Sequence, residues 1–220
     1  MRDPRLSAPL VIAAHGSTDP RFADAVEAIA AQVRAQRVDL DVRVGFLDHG
    51  SPTIAEVRTE ACVVVPLLLA GGYHARVDIP AHAPGAVVTA AVGPDPLLAV
   101  ALADRLREAG YDGTSPLTLA AAGSSDERAL DDVRAAARQL GDLLRVPVSA
   151  AFVSAGTPRI NDVTVDVVAS YLLAPGVFHD ALTRIGARVV SAPVGAHPAV
   201  ADVVLARYDS CQVPGRIAPA

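Results

Sequence analysis

Ala61-Cys62-Val63-Val64-Val65-Pro66-Leu67-Leu68-Leu69-Ala70 is a run of ten apolar residues with no polar residue alternating through it. A short, bulky run of this kind reads as a strand buried on both faces, the type that parallel sheets carry. At ten residues, interrupted by Pro66, it is far short of the roughly 20 needed to span a bilayer. On its N-terminal side, Leu10 to Ala14 forms a strand candidate, and Asp19-Pro20 supplies an N-cap followed by proline at the first helical position. Phe22, Val26, Ile29 and Val33 then recur at helical spacing, Val42, Val44 and Phe46 alternate as in a strand, and Ser51-Pro52 opens a further helix. After the Gly71-Gly72 loop come a short helical segment near Val77, a strand over residues 86–92, and a helix opened by Asp95-Pro96 and closed by Gly110. Strands alternating with helices imply parallel pairing, because a parallel connection needs a crossover.

The pattern then repeats. Ala120-Ala121-Ala122-Gly123-Ser124 echoes Ala13-Ala14-His15-Gly16-Ser17 at an offset of 107, and Phe152 to Pro158 echoes Phe46 to Pro52 at 106. Leu172-Leu173-Ala174, with His179, echoes Leu68-Leu69-Ala70, with His74, at an offset of 105 between the histidines. Three matches in one order at nearly constant offset indicate duplication. Residues 1–112 and 113–220 are therefore expected to form two similar flavodoxin-like α/β domains, three-layered with parallel sheets, facing each other across a cleft. The linker falls in Tyr111 to Pro116.

Composition narrows the chemistry. All 19 basic residues of the 220 are arginine, so a Walker-type phosphate loop and a lysine Schiff base are both excluded. A net charge of -5 argues against nucleic-acid binding, and 4% aromatic content with no Trp against a base-stacking surface. The two cysteines, Cys62 and Cys211, make neither a disulfide framework nor a CxxC site. Residues 8–14 lead straight into His15-Gly16-Ser17 and are read as a first strand, not a leader, which gives a cytoplasmic protein with no membrane segment.

In open parallel α/β sheets ligands bind beyond the carboxyl ends of the strands. His15, Asp48 and His74 each follow a strand candidate, so the three are expected on one rim. A single histidine at a strand end is more often structural; it is the convergence of two imidazoles and a carboxylate that suits a borderline divalent metal such as ferrous iron or cobalt. His49 and His82 read as surface residues and His197 as a helix start. A hydrolase using Ser17 with His15 finds no G-x-S-x-G elbow, and no GxGxxG fingerprint occurs.

His15-Gly16-Ser17 with Asp19 and Arg21, Phe46-Leu47-Asp48 before Pro52, and Val65 to His74 leading to Asp78-Ile79-Pro80 resemble the CbiX and SirB class of sirohydrochlorin chelatases. The resemblance extends over nearly the whole chain, the second copy included. It implies insertion of Fe2+ or Co2+ into sirohydrochlorin, with release of two protons, in sirohaem or cobalamin biosynthesis. The metal is then a substrate and no permanent cofactor is required. The family's histidines match His15 and His74, implied to contact the metal or take the pyrrole protons, and its glutamate matches the shorter Asp48, with His49 beside it as an alternative. Ala122 and Ser154 replace His15 and Asp48 in the second copy, which leaves one active centre per chain and no assigned role for His179. Sirohydrochlorin is polyanionic, so Arg21, Arg76 and Arg159, which flank the motifs, are the candidate carboxylate grips, with Ser17, Gly71 and Gly72 completing the candidate binding set. A non-catalytic tetrapyrrole or metal carrier on the same scaffold is the alternative. The chain is read as a monomer or homodimer.

The residue types fit the task on chemical grounds. Imidazole, with an ordinary pKa of about 6.5, both ligates a divalent cation and accepts protons near neutral pH. Thiolates would hold the cation too firmly for transfer, and the site must stay incompletely coordinated for the ion to leave.

Overall fold

The computed structural model describes residues 7–211, so the two ends of the expected lobes, 1–6 and 212–220, lie outside the described residues. In the first lobe, β1 (Leu10–Ala14), β2 (Val42–Phe46), β3 (Val63–Pro66) and β4 (Val87–Val88) form one parallel sheet in the order β2-β1-β3-β4. In the second, β5 (Leu117–Gly123), β6 (Val148–Ala155), β7 (Val167–Tyr171) and β8 (Val189–Val190) repeat it as β6-β5-β7-β8. The two registers match: Leu10 stands against both Val42 and Val63, and Leu119 against both Ala150 and Ala169. The expected duplication and flavodoxin-like strand order are what the chain forms.

The helices start where their caps dictate. Asp19 accepts the Arg21 amide at the head of α1 (Pro20–Gln36), Asp95 accepts that of Leu97 at α4 (Pro96–Glu108), and Asp126 accepts that of Arg128 at α5 (Glu127–Leu144). His197 caps α7 (Pro198–Ser210) through Nδ1, a helix start as its sequence suggested. Other expectations shift. The helix after Ser51-Pro52 is the four-residue α2 (Ile54–Val57), begun by a capping box between Thr53 and Glu56. The strand expected over 86–92 pairs in register only at Val87 and Val88; past them Thr89 still donates to Val64 O and Val92 to Pro66 O, with the ladder interrupted at Ala90 and Ala91. The segment near Val77 is a π-helical turn, His74–Asp78, running into α3 (Ile79–His82).

The largest departure concerns the helical layers. Even-numbered residues of β1 (Leu10, Ile12, Ala14) join a core with α1, α4, α5 and α7, whereas Val11 and Ala13 face a smaller outer core with Ile54 and Ile79. The inner core reaches unbroken to Leu117, Leu119 and Ala121 of β5, so both sheets share it. Within it, α4 packs on α5 and β7 of the second lobe, and α7 packs on α1 and β3 of the first. Each lobe's last helix thus covers the other lobe's sheet. Ion pairs and hydrogen bonds tie the exchange: Arg207 of α7 reaches Ala91 O and Asp95, and Arg105 of α4 reaches Val194 O. A boundary at 112/113 follows the linker, which is organised by Asp112 accepting the Thr114 and Ser115 amides. It does not separate two independently packed cores. Among the described residues no helix is long and apolar enough to cross a membrane.

Candidate functional site

In the first lobe the chain leaves β1 for a helix on one face and β3 for helices on the other, so the loops beyond β1 and β3 part and leave a crevice between them. His15 sits at the end of β1 and His74 in the turn that follows β3. Their rings meet edge to face, centroids 4.7 Å apart with an interplanar angle of 86°. Two things bring them there. Gly16, at φ +99°, carries the chain away from β1 so tightly that a Cβ would lie 1.6 Å from Asp48 O, which turns His15 to the sheet's carboxyl edge. The π-helical turn begins at His74, whose carbonyl accepts the Ile79 amide, and it sets Asp78 beside the His74 ring.

The hydrogen bonds of the two rings fix their tautomers. His74 Nδ1 lies 2.6 Å from Asp78 Oδ2, and His15 Nδ1 lies 3.2 Å from Gly16 O. A carboxylate and a carbonyl can only accept, so in the neutral ring each Nδ1 carries the hydrogen and each Nε2 keeps its lone pair. In the sequence Asp78 stands only as the start of the Asp78-Ile79-Pro80 motif. Its i,i+4 spacing from His74 was the signal available in the sequence.

Both histidines line a cleft of about 500 Å³ between the lobes, a size ordinary for a small-molecule site. Its walls are chiefly apolar: Leu67 to Ala70 from the first lobe, Ala121, Ala122 and Leu172 from the second, and Phe22 from α1. Gly72 and Tyr73 border it beside His74, and Ser124, Ser125 and Asp126 face it from the second lobe. Sequence patterns place Phe22, Tyr73 and Ser124 in a helix stripe or a motif and give no sign that they, or Ser125, line a site.

The remaining candidates fall elsewhere. Asp48 is absent from the cleft lining; its carboxylate is turned onto its own neighbour, accepting the His49 amide at 2.8 Å with His49 Nε2 at 3.3 Å. The physical reason is strand order: β2 is the edge strand on the far side of β1 from β3, so its loop opens away from the β1/β3 crevice. Among the described residues no group of three or more His, Cys, Asp or Glu is placed to hold a metal ion, so the two histidines stand as a pair. Ser17 Oγ accepts the Asp19 amide at 3.1 Å and serves the turn into α1.

Among the described residues no arginine lines the cleft either. Arg21 is bound to Asp19 and, across the lobes, to Asp180 at 2.8 Å; these bonds raise its guanidinium pKa and hold both carboxyls below their usual range. Arg76 donates to Gly71 O at 2.6 Å and pairs with Asp126 of the second lobe. Arg159 donates to Val153 O, beyond the edge strand β6. Gly71 gives its amide to Asp132 of α5 at 2.7 Å. In a protein with excess acidic charge, guanidinium groups near the cleft find carboxylates of the facing lobe first.

The CbiX family model matches residues 9–109, the half that holds both histidines. The sirohydrochlorin cobaltochelatase of Methanopyrus kandleri is 37% identical over 78 residues, which are 32% of this chain and 54% of that protein. The match therefore spans about half the length of that curated relative. SirB from Bacillus subtilis with Fe3+ superposes with a TM-score of 0.78 at 22% identity, covering 92% of this chain and 94% of SirB. SirB from Bacillus subtilis subspecies spizizenii in complex with cobalt gives 0.77 at the same identity and coverage. The CbiX pattern thus lies over the lobe that builds the histidine pair, and the chain has the two-lobed SirB fold over nearly its whole length.

Proposed function

We propose that this protein inserts Fe2+ or Co2+ into sirohydrochlorin, with the cation as a substrate and His15 and His74 as the residues that exchange it for protons. The observation that carries this reading is the pair of imidazoles with tautomers fixed so that both Nε2 lone pairs are available, at the edge of an apolar cleft.

Metallating a free-base macrocycle replaces two pyrrole N–H protons by one divalent cation. A cation held by two imidazoles keeps most of its coordination sphere open, which lets ring nitrogens take over stepwise. As it moves to the ring, the two Nε2 lone pairs are released, and they match in number the two protons the ring must lose. Asp78 remains on the Nδ1 side of His74, stabilising the ring when it becomes charged. The apolar walls suit the flat faces of a tetrapyrrole, and its carboxylates are assigned to Arg21, next to the lining residue Phe22, and Arg76, which pairs with the lining residue Asp126. Arg21 is shared by two aspartates and Arg76 is held by one, so each grips a substrate carboxylate by exchanging an aspartate partner for it. Asp48 is given no step. Both metals are proposed because imidazole accepts either, and relatives with the same fold carry iron or cobalt.

An anaerobic absorbance assay with sirohydrochlorin and ferrous or cobaltous ion tests the proposal. Many equivalents of product per chain are expected, and His15→Ala and His74→Ala are each expected to lower kcat about 100-fold, or about 2.7 kcal/mol. Full activity in either variant overturns the assignment, and product that stops at one equivalent indicates a carrier.

A further inference from the structure

The turn that carries His74 is held mainly by the other lobe. Within the eight residues 69–76, Leu69 O accepts the Tyr171 hydroxyl at 2.8 Å, Gly71 N–H donates to Asp132 Oδ2 at 2.7 Å, and Arg76 pairs with Asp126. All three partners belong to the second lobe, Tyr171 ending β7 and the two aspartates lying at and just inside the start of the 18-residue α5. Contact is close enough that a Cβ on Gly72 would lie 3.2 Å from the Ala129 methyl group. Burial, with Asp132 and Asp95 nearby, pushes the Tyr171 phenol well above its ordinary pKa, so it remains a donor.

The matching segment of the second lobe is held differently. At the internal offset of the repeat, Leu67 stands where the second lobe has Tyr171, and Ala25 where it has Asp132. One cross-lobe bond of this kind remains, Asp180 to Arg21. His179 in that segment points its Nε2 at Ser191 O, 3.2 Å away, and does not line the cleft. Anchors are therefore concentrated on the segment whose histidine faces the cleft.

His74 itself is half exposed and its one side-chain hydrogen bond stays within its own turn, to Asp78. Its placement against His15 follows from where the backbone of residues 69–76 is pinned. A displacement of about 1 Å in a reacting group can cost 100-fold in rate. Resting on the chelatase reading above, we propose that the second lobe, without cleft-facing histidines of its own, supplies the positioning residues Tyr171, Asp132 and Asp126, which hold the His74 turn at its working distance from His15.

Asp132→Ala, Asp132→Asn and Asp180→Ala, made in the full chain, test this. Asp132→Ala is expected to lower kcat about tenfold with KM for sirohydrochlorin unchanged within twofold, as for removal of a positioning contact. Asp132→Asn retains an oxygen that can accept the Gly71 amide and is expected to recover kcat to within about threefold of wild type. Asp180→Ala breaks the cross-lobe bond on the other side and is expected to leave kcat unchanged. Imidazole 1H–15N NMR of the metal-free protein gives a readout that needs no turnover: Asp132→Ala shifts the His74 signals, and Asp180→Ala leaves them in place. Should Asp132→Ala fail to fold, Tyr171→Phe replaces it, with the same expectations. Wild-type kcat and His74 signals in Asp132→Ala, or equal effects from Asp180→Ala, overturn the proposal. If wild type itself does not metallate sirohydrochlorin, the chelatase reading falls and the imidazole signals alone decide the positioning.

Discussion

His15 and Ala122 occupy the same place on two copies of one scaffold, and around them the backbone is repeated closely. Gly16 and Gly123 follow at φ +99° and +98°; Ser17 and Ser124 accept the amides of Asp19 and Asp126 at 3.1 and 3.0 Å. Gly93 N–H meets Leu68 O at 3.0 Å as Gly195 N–H meets Leu173 O at 3.1 Å. What differs is the side-chain chemistry: one lobe places two imidazoles together, the other places a methyl group and a histidine turned to a backbone carbonyl. Backbone geometry is demanded by the fold in both lobes, whereas on the proposed function the imidazoles are demanded only in the lobe that handles the cation. The two requirements can therefore be separated by mutation.

The strongest separation is at the matched glycines. A Cβ would lie 1.6 Å from Asp48 O at Gly16 and 1.9 Å from Ala155 O at Gly123, backbone clashes that no rotamer relieves. Gly16→Ala and Gly123→Ala are each expected to destabilise the protein by more than about 3 kcal/mol in urea unfolding. Gly113→Ala, with φ +80° but nothing within 4 Å, is expected to cost about 1 kcal/mol. The lobes part company in function: at a temperature where both variants remain folded, Gly16→Ala displaces His15 and lowers kcat, while Gly123→Ala retains it. Equal loss of kcat would mean that the second lobe's turn shapes the site as directly as the first.

The exchanged helices bear on whether the lobes are separable at all. Leu102 of α4 is fully buried and belongs to the core shared by both sheets. Leu102→Ala is expected to cost about 2–5 kcal/mol. If the lobes form one cooperative unit, hydrogen-exchange protection of β1 and β5 amides falls by the same factor, although α4 is followed by the linker of the first lobe and packs on the second. Loss confined to β5 would show two units joined only at a surface.

Much of this architecture was legible because its determinants are local. Apolar runs, Asp-Pro helix starts and the internal offset carry the parallel α/β class, the duplication and the shared rim of His15 and His74, whose strands are both central. Asp48 reads identically in sequence, yet its strand is an edge, and edge or centre is decided by long-range pairing. The fate of Arg21 and Arg76 was likewise hidden. Their partners, Asp180 and Asp126, lie 159 and 50 residues away. The exchange of α4 and α7 left no trace either, because an amphipathic face does not say which sheet it covers.

The smallest expected effect concerns the one cross-lobe bond on the second lobe's loop. Hydrogen bonds from the Arg21 guanidinium, chiefly, hold the Asp180 and Asp19 carboxyls below their usual range. A lowered folded-state pKa means that the unfolded chain binds protons first as pH falls. The contribution is therefore complete above the ordinary carboxylate pKa of about 4 and disappears as pH drops through the lowered values. With Arg21 and Asp180 side chains 48% and 34% exposed, solvent and salt screen the pair. The difference in Tm between wild type and Arg21→Ala is expected to be a few degrees at most at pH 7, smaller in 1 M salt, and gone near pH 2. A difference that persists in acid would assign the stabilisation to packing of the arginine stem between the lobes, not to its charge.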